Sequence, residues 1–157
     1  MRVRLKYRDM IQFIKKASVS LMALTIAITA SAGGSGKSAV KASGVNWNPV
    51  MDAIIQVESE GNPKAFNKNG NCAGAMQITP ILVKDCNNIL KRQKSNKRYT
   101  MADRYSVEKS KEMFQIFQKC YNPENNIEKA IRLWNGGVKY TTRATNRYYK
   151  KVLAQMK

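Results

Sequence analysis

Residues 48–61 read Asn-Pro-Val-Met-Asp-Ala-Ile-Ile-Gln-Val-Glu-Ser-Glu-Gly. Asn48 followed by Pro49 predicts a helix start, an N-cap and a first-turn proline. Val50, Met51, Ile54, Ile55 and Val57 then recur at helical spacing, and Gly61 offers a stop. One residue sits badly in this helix. Glu58 lies three residues after Ile55, four after Ile54 and seven after Met51, at the edge of the apolar stripe rather than opposite it. It also falls in the last turn, near the negative end of the helix dipole, where an anion is disfavoured. Desolvation and dipole both favour the neutral acid, so its pKa is expected to rise. A carboxyl that stays protonated near neutral pH is what a general acid requires.

Helical periodicity continues towards the C-terminus. Thr79-Pro80 repeats the start signal before Ile81, Leu82, Val83, Cys86 and Leu90. The basic stretch 91–98 reads as a loop. Ser106 can cap a helix carrying Val107, Phe114, Phe117 and Tyr121. Asn122-Pro123 predicts a further start before Ile127, Ala130, Ile131 and Trp134, with an end at Gly136-Gly137. A last helix from about Thr142 carries Tyr148, Tyr149, Val152, Leu153 and Met156. Only the region 67–74 has the character of a strand, as a short β ribbon. No internal repeat is present. The expectation is a mostly α single domain over residues 46–157.

Residues 33–45 (GGSGKSAVKASGV) read as a flexible linker. Gly36-Lys37-Ser38 lacks the glycine five positions earlier that a phosphate loop needs, since Ser31 stands there, and no strand precedes it. Further upstream, Arg2, Arg4, Lys6, Arg8, Lys15 and Lys16 face one acid, Asp9. An uncharged apolar run, 17–30, follows, and then Ala30-Ser31-Ala32. This is the order of a secretory signal peptide, residues 1–32, cut after Ala32. The run is short of the roughly 20 residues that span a bilayer, so no stable membrane insertion is expected once the signal is removed. An uncleaved anchor is the alternative. Export to the periplasm, the cell envelope or the medium follows, in an oxidising compartment. Cys72, Cys86 and Cys120 there suggest one disulfide and one free thiol, with the pair left open.

The 157 residues contain 28 Lys and Arg against 10 Asp and Glu, a formal charge of +18. Losing 1–32 removes six basic residues and one acid, which leaves +13. Such charge favours anionic partners without specifying a fold. Hydrophobic residues at 43% exclude both a disordered chain and a polytopic membrane protein. The absence of histidine excludes Ser-His-Asp and Cys-His catalysis and His-ligated metal. No metal or cofactor is expected. Charge alone is no recognition motif, and no nucleic-acid partner is expected.

Glu58-Ser59 does not stand alone. Gly61-Asn62-Pro63, Asn69-Gly70-Asn71 and Gly74-Ala75-Met76-Gln77 follow. Trp134-Asn135-Gly136-Gly137 comes later, then Thr145 with Tyr148 before Lys151-Val152. This ordered set resembles the soluble lytic transglycosylase domain, glycoside hydrolase family 23, related to goose-type lysozyme, across about 47–153. The resemblance implies a lysozyme-like fold and cleavage of the β-1,4 bond between N-acetylmuramic acid and N-acetylglucosamine in peptidoglycan glycan strands. It implies Glu58 as the catalytic acid and Ser59 as a hydrogen-bonding support behind it. Gly74, Met76 and Gln77 would form a wall of the sugar groove, Asn135 would lie near the groove, and Tyr148 would set its hydroxyl beside the acid. Packing alone would account equally well for Met76 and for the paired glycines.

Glycosidases usually need two carboxylates. Glu60 should point away around the helix, and Asp85 and Asp103 have no motif support. A single-carboxylate route with a 1,6-anhydro product therefore fits better than hydrolysis. Rival readings are a hydrolytic goose-type-like lysozyme and a non-catalytic cationic wall-binding module. The segment between Gln77 and Pro123 departs from the family pattern, and Ala144 replaces an acid common before the threonine. Small exported members often open the wall for an envelope-spanning secretion or conjugation apparatus, which makes such machinery a further expected partner.

Overall fold

The computed structural model describes residues 45–156. The expected signal peptide, and the linker apart from Val45, lie outside them. Five α-helices are found among the described residues: α1 (Asn48–Ser59), α2 (Pro80–Arg92), α3 (Val107–Tyr121), α4 (Ile127–Gly136) and α5 (Thr142–Gln155). A two-residue ribbon, β1 (Phe66–Asn67) with β2 (Cys72–Ala73), and a 3-10 helix, Ala102–Tyr105, complete the described part. The fold is mostly α and lysozyme-like, as expected.

α1 buries Val50, Met51, Ala53, Ile54 and Ile55 on one face, the stripe legible in its sequence. Its start differs from expectation. Asn48 is already inside the helix, and Trp47 takes the cap position with no side-chain cap. Trp47 is needed for packing: its ring stands edge-on to Phe114, centroids 5.7 Å apart. The Asx function moves outward one step, to Asn46, whose Oδ1 accepts the Asn48 N–H at 3.1 Å. The helix closes at Glu60, which is left-handed (φ 54°), one residue before the glycine.

The ribbon is antiparallel, with Phe66 opposite Ala73 and Asn67 opposite Cys72. Thr79 caps α2 as expected, accepting from the Leu82 N–H at 3.2 Å. Ser106 caps α3 through the Lys109 N–H at 3.3 Å. The basic stretch is only partly a loop, because Lys91 and Arg92 form the last turn of α2.

α4 begins four residues later than Asn122-Pro123 predicts, and Asn126 is its cap. Asn122 is fully buried and closes a loop instead. Its amide donates to the Asn126 carbonyl at 2.8 Å and its Oδ1 accepts the Asn126 N–H at 3.1 Å. A buried Asn must satisfy both ends of its amide, and the loop does so. Thr141 caps α5 through Ala144 at 3.2 Å.

The core gathers Met51 and Ile54 of α1, Met113 and Phe114 of α3, Ile131 of α4 and Val152 of α5. α1 packs against α4 and α5, and α2 against α3. Arg132 of α4 is buried among polar partners. It pairs with Glu128 at 2.7 Å and donates to the Thr145 hydroxyl at 3.0 Å and the Thr142 carbonyl at 3.1 Å. Its guanidinium also lies 4.3 Å from the centre of the Tyr149 ring. These bonds lock α5 onto α4. Gly136 permits the approach, since a Cβ there would come within 2.8 Å of Thr145 Cγ2 and 2.6 Å of Tyr140 Cβ.

The three cysteines are all free, contrary to the expected disulfide. Cys86 is buried between α2 and α3 and reaches the Met113 carbonyl. Cys120 is exposed beside Arg92, and Cys72 sits on the ribbon. Burial pushes the Cys86 thiol up to about 12, so it is inert as a nucleophile.

Candidate active site

Glu58 projects from the last turn of α1, half-buried, into an open trough of about 390 Å³. Burial pushes its pKa above the ordinary value, and the Tyr148 hydrogen bond opposes that in part. Tyr148 Oη, from α5, donates to Glu58 Oε1 at 2.7 Å. Burial and the adjacent carboxylate push the tyrosine's own pKa far up, so the phenol keeps its proton as a neutral donor. Two helices distant in sequence thus meet at one short bond. The contacts of Arg132 with Thr145, three residues before Tyr148, hold that register.

Gln77 and Asn135 line the same trough. Gln77 is held in a left-handed conformation (φ 49°). Its Nε2 donates to the Gly74 carbonyl at 3.0 Å and to the Ala65 carbonyl at 3.4 Å. With its nitrogen engaged, Oε1 is the free end of the amide. Ser59 stands behind the acid, and its hydroxyl donates to the Ala75 carbonyl at 2.8 Å. It ties the end of α1 to the loop that carries Gln77.

Two expected groove residues are elsewhere. Met76 is 0% exposed and packs in the core, so its side chain does not line the trough. Gly74 faces the opposite way. Its φ is +79°, and a Cβ would come within 1.7 Å of the Arg104 carbonyl oxygen. The glycine makes room for backbone of the protein itself. Ser59 likewise serves as a brace rather than a lining residue.

Sequence reading missed Arg104. It is 7% exposed and donates to the carbonyls of Asn71 at 2.7 Å, Met101 at 3.0 Å and Ile78 at 3.3 Å. The 3-10 helix carrying it therefore buttresses the loop 71–78 from behind. The trough is also lined by Thr79, the cap of α2, by Leu82 and Asp85 of α2, and by Trp134 and Val138. Glu60 is exposed, as expected of a residue turned away. Asp103 is paired with Lys109 and does not line the trough. Among the described residues no group of three or more Cys, Asp or Glu could hold a metal ion. None of the described helices is long and apolar enough to cross a membrane.

The domain is helical and lysozyme-like and carries an open trough. Residues 36–154 match the family model Transglycosylase SLT domain, and the chain belongs to that family. Its members are lytic transglycosylases, and their substrate is peptidoglycan in the periplasm or envelope. No curated protein matches the chain.

Proposed function

We propose that the protein is an exported lytic transglycosylase that cuts the bond between N-acetylmuramic acid and N-acetylglucosamine with Glu58 as its single acid and base. The observation that carries the reading is the half-buried Glu58, raised in pKa and bonded to Tyr148, at the trough. Glu58 gives its proton to the glycosidic oxygen as the C1–O bond breaks. The substrate's own N-acetyl oxygen bonds to C1 in the substrate-assisted manner. Glu58, now anionic, takes the proton of the C6 hydroxyl. O6 then bonds to C1, the acetamido oxygen leaves, and a 1,6-anhydro end forms without water. Proximity favours this intramolecular attack. Gln77, with its free Oε1, and Asn135 are the proposed saccharide contacts.

One observation favours hydrolysis as the second reading, namely a second carboxylate, Asp85, in the trough. Mass spectrometry of digested sacculi separates the two. Anhydro ends support transglycosylation, and reducing ends assign the water route.

Tyr148→Phe tests the site through its pH profile. The tyrosine's hydrogen bond favours the charged carboxylate, so its loss raises the Glu58 pKa further. Since the reaction starts from the protonated acid, the alkaline limb of kcat should move to higher pH. Turnover on sacculi should fall by about tenfold or more as the carboxyl loses its fixed orientation. An unmoved limb would detach Tyr148 from the acid.

Residues 1–32 act in this reading as the export signal and 33–45 as a tether. Local wall opening for an envelope-spanning transport machine is the proposed role. Deletion of the chain should impair that transport, and unimpaired transport would remove the proposal. Steering by the basic stretch 91–98 is weaker than its composition suggests, because Lys97 is already paired with Glu112 at 2.7 Å.

A further inference from the structure

We infer that Asp85, held by Tyr121, is the acceptor of an outer saccharide subsite, and that this subsite takes the carboxylate-free N-acetylglucosamine unit of the strand. The inference rests on the proposed function, which puts a glycan in the trough.

Nine acids lie among the described residues. Asp52, Asp103, Glu112, Glu124 and Glu128 each pair with a Lys or Arg. Glu60 and Glu108 are exposed to water. That leaves Glu58 and Asp85, half-buried and without an ion-pair partner among the described residues, and both line the same trough. In a chain of charge +18, a half-buried carboxylate that forms no ion pair among the described residues keeps its acceptor capacity for another partner.

Asp85 is fixed in place. Tyr121 Oη of α3 donates across both its oxygens, at 3.1 and 3.3 Å. Burial and the Asp85 charge push the Tyr121 pKa up to about 12, so the phenol remains the donor. One hydroxyl proton occupies only part of a carboxylate's acceptor capacity of about four lone-pair sites. The remaining sites want donors, which sugar hydroxyls and acetamido N–H groups supply.

Apolar surface flanks this acceptor. Ile81 is 79% exposed at the lip of the trough, with Leu82 and Phe117 beside Asp85. Apolar contacts with a few fixed polar groups are the usual composition of a ligand cleft. The sign of the charge supplies the selectivity. Muramic acid carries a lactyl carboxyl group, free or extended by a peptide that ends in carboxylates. A second anion beside Asp85 is repelled in a half-buried site. N-acetylglucosamine carries none. In a strict alternation of the two sugars, one charge-selective subsite fixes the register of the whole strand over Glu58.

The test has two arms. In full-chain Glu58→Gln protein, binding of the neutral chitotetraose is measured by calorimetry with and without Asp85→Ala. Loss of hydrogen bonds to a charged acceptor should weaken binding about tenfold or more. Unchanged affinity overturns the subsite. If Asp85→Ala fails to fold, Tyr121→Phe carries the same measurement, with about threefold weakening expected from a freed Asp85. In otherwise wild-type protein, Asp85→Asn keeps an acceptor and removes the charge. Its digests of sacculi should contain N-acetylglucosamine-terminated products cut in the wrong register. Ends that stay wholly muramyl overturn the neutral-sugar assignment. Full chitotetraose affinity with lost turnover in Asp85→Asn would instead make Asp85 a catalytic base. The binding arm reads out even if wild-type protein fails to cut sacculi, so failure here and failure of the proposed reaction are distinguishable.

Discussion

Glu58→Gln should lower the release of soluble fragments from purified sacculi by about 10²–10⁴-fold, the usual contribution of a positioned proton donor. The amide is nearly isosteric, can still accept from Tyr148, and has no proton to give. Binding to sacculi should survive. The same substitution should stabilise the fold at neutral pH. Burial raises the Glu58 pKa in the folded state above its ordinary value of 4.5. The folded protein therefore holds this proton more tightly than the unfolded chain. Between the ordinary and the raised value the native state binds more protons, so stability falls as pH rises through that window. Below pH 4.5 the penalty is absent. Glu58→Gln removes a buried charge that exists only above the window. Its Tm should exceed wild type at neutral pH and converge with it in acid. Wild-type lysis rates would remove Glu58 as the acid, and equal Tm values across pH would remove the burial argument.

Much of the scaffold was legible because its causes are local. Apolar spacing and two caps, Thr79 and Ser106, mark α1, α2 and α3 from neighbouring residues alone. Glu58 stood out for the same reason, as a charge at the margin of an apolar stripe. The misreadings concern residues whose partners lie far along the chain. Nothing in the stretch 99–105 says that Arg104 is buried, since it bonds to carbonyls 33 and 26 residues away, at Asn71 and Ile78. Asp85 draws meaning from Tyr121, 36 residues on. Asn122 resembled a cap because caps and loop-closing amides use the same residue type. Met76 and Gly74 belong to a motif whose pattern ties them to the groove. One fills the core and the other clears a path for backbone, so both brace the groove wall.

That reading of Gly74 predicts a large effect. Gly74→Ala places a methyl within 1.7 Å of the Arg104 carbonyl oxygen and 2.8 Å of its carbon, in a residue at φ +79°. Both faults act together, because left-handed backbone disfavours alanine and the obstacle is main chain. The obstacle cannot yield cheaply. Arg104 is anchored by its side-chain bonds to Asn71, Met101 and Ile78, and its carbonyl accepts the Ser110 hydroxyl at 3.2 Å. Either the 3-10 helix or the loop 71–78 must move. A cost of about 3–5 kcal/mol is expected, near the upper range for single substitutions. For a domain of this size that lowers Tm by roughly 15–25 °C. Activity should fall further than stability alone dictates. Gly74 also accepts the Gln77 backbone N–H at 3.1 Å, and Ala75 accepts Ser59, so a displaced loop carries the trough wall away from Glu58. Calorimetry and lysis of sacculi well below the reduced Tm separate the two effects. A Gly74→Ala protein melting within a few degrees of wild type would mean that the loop does not press on Arg104. The 3-10 helix would then lose its part in holding the wall.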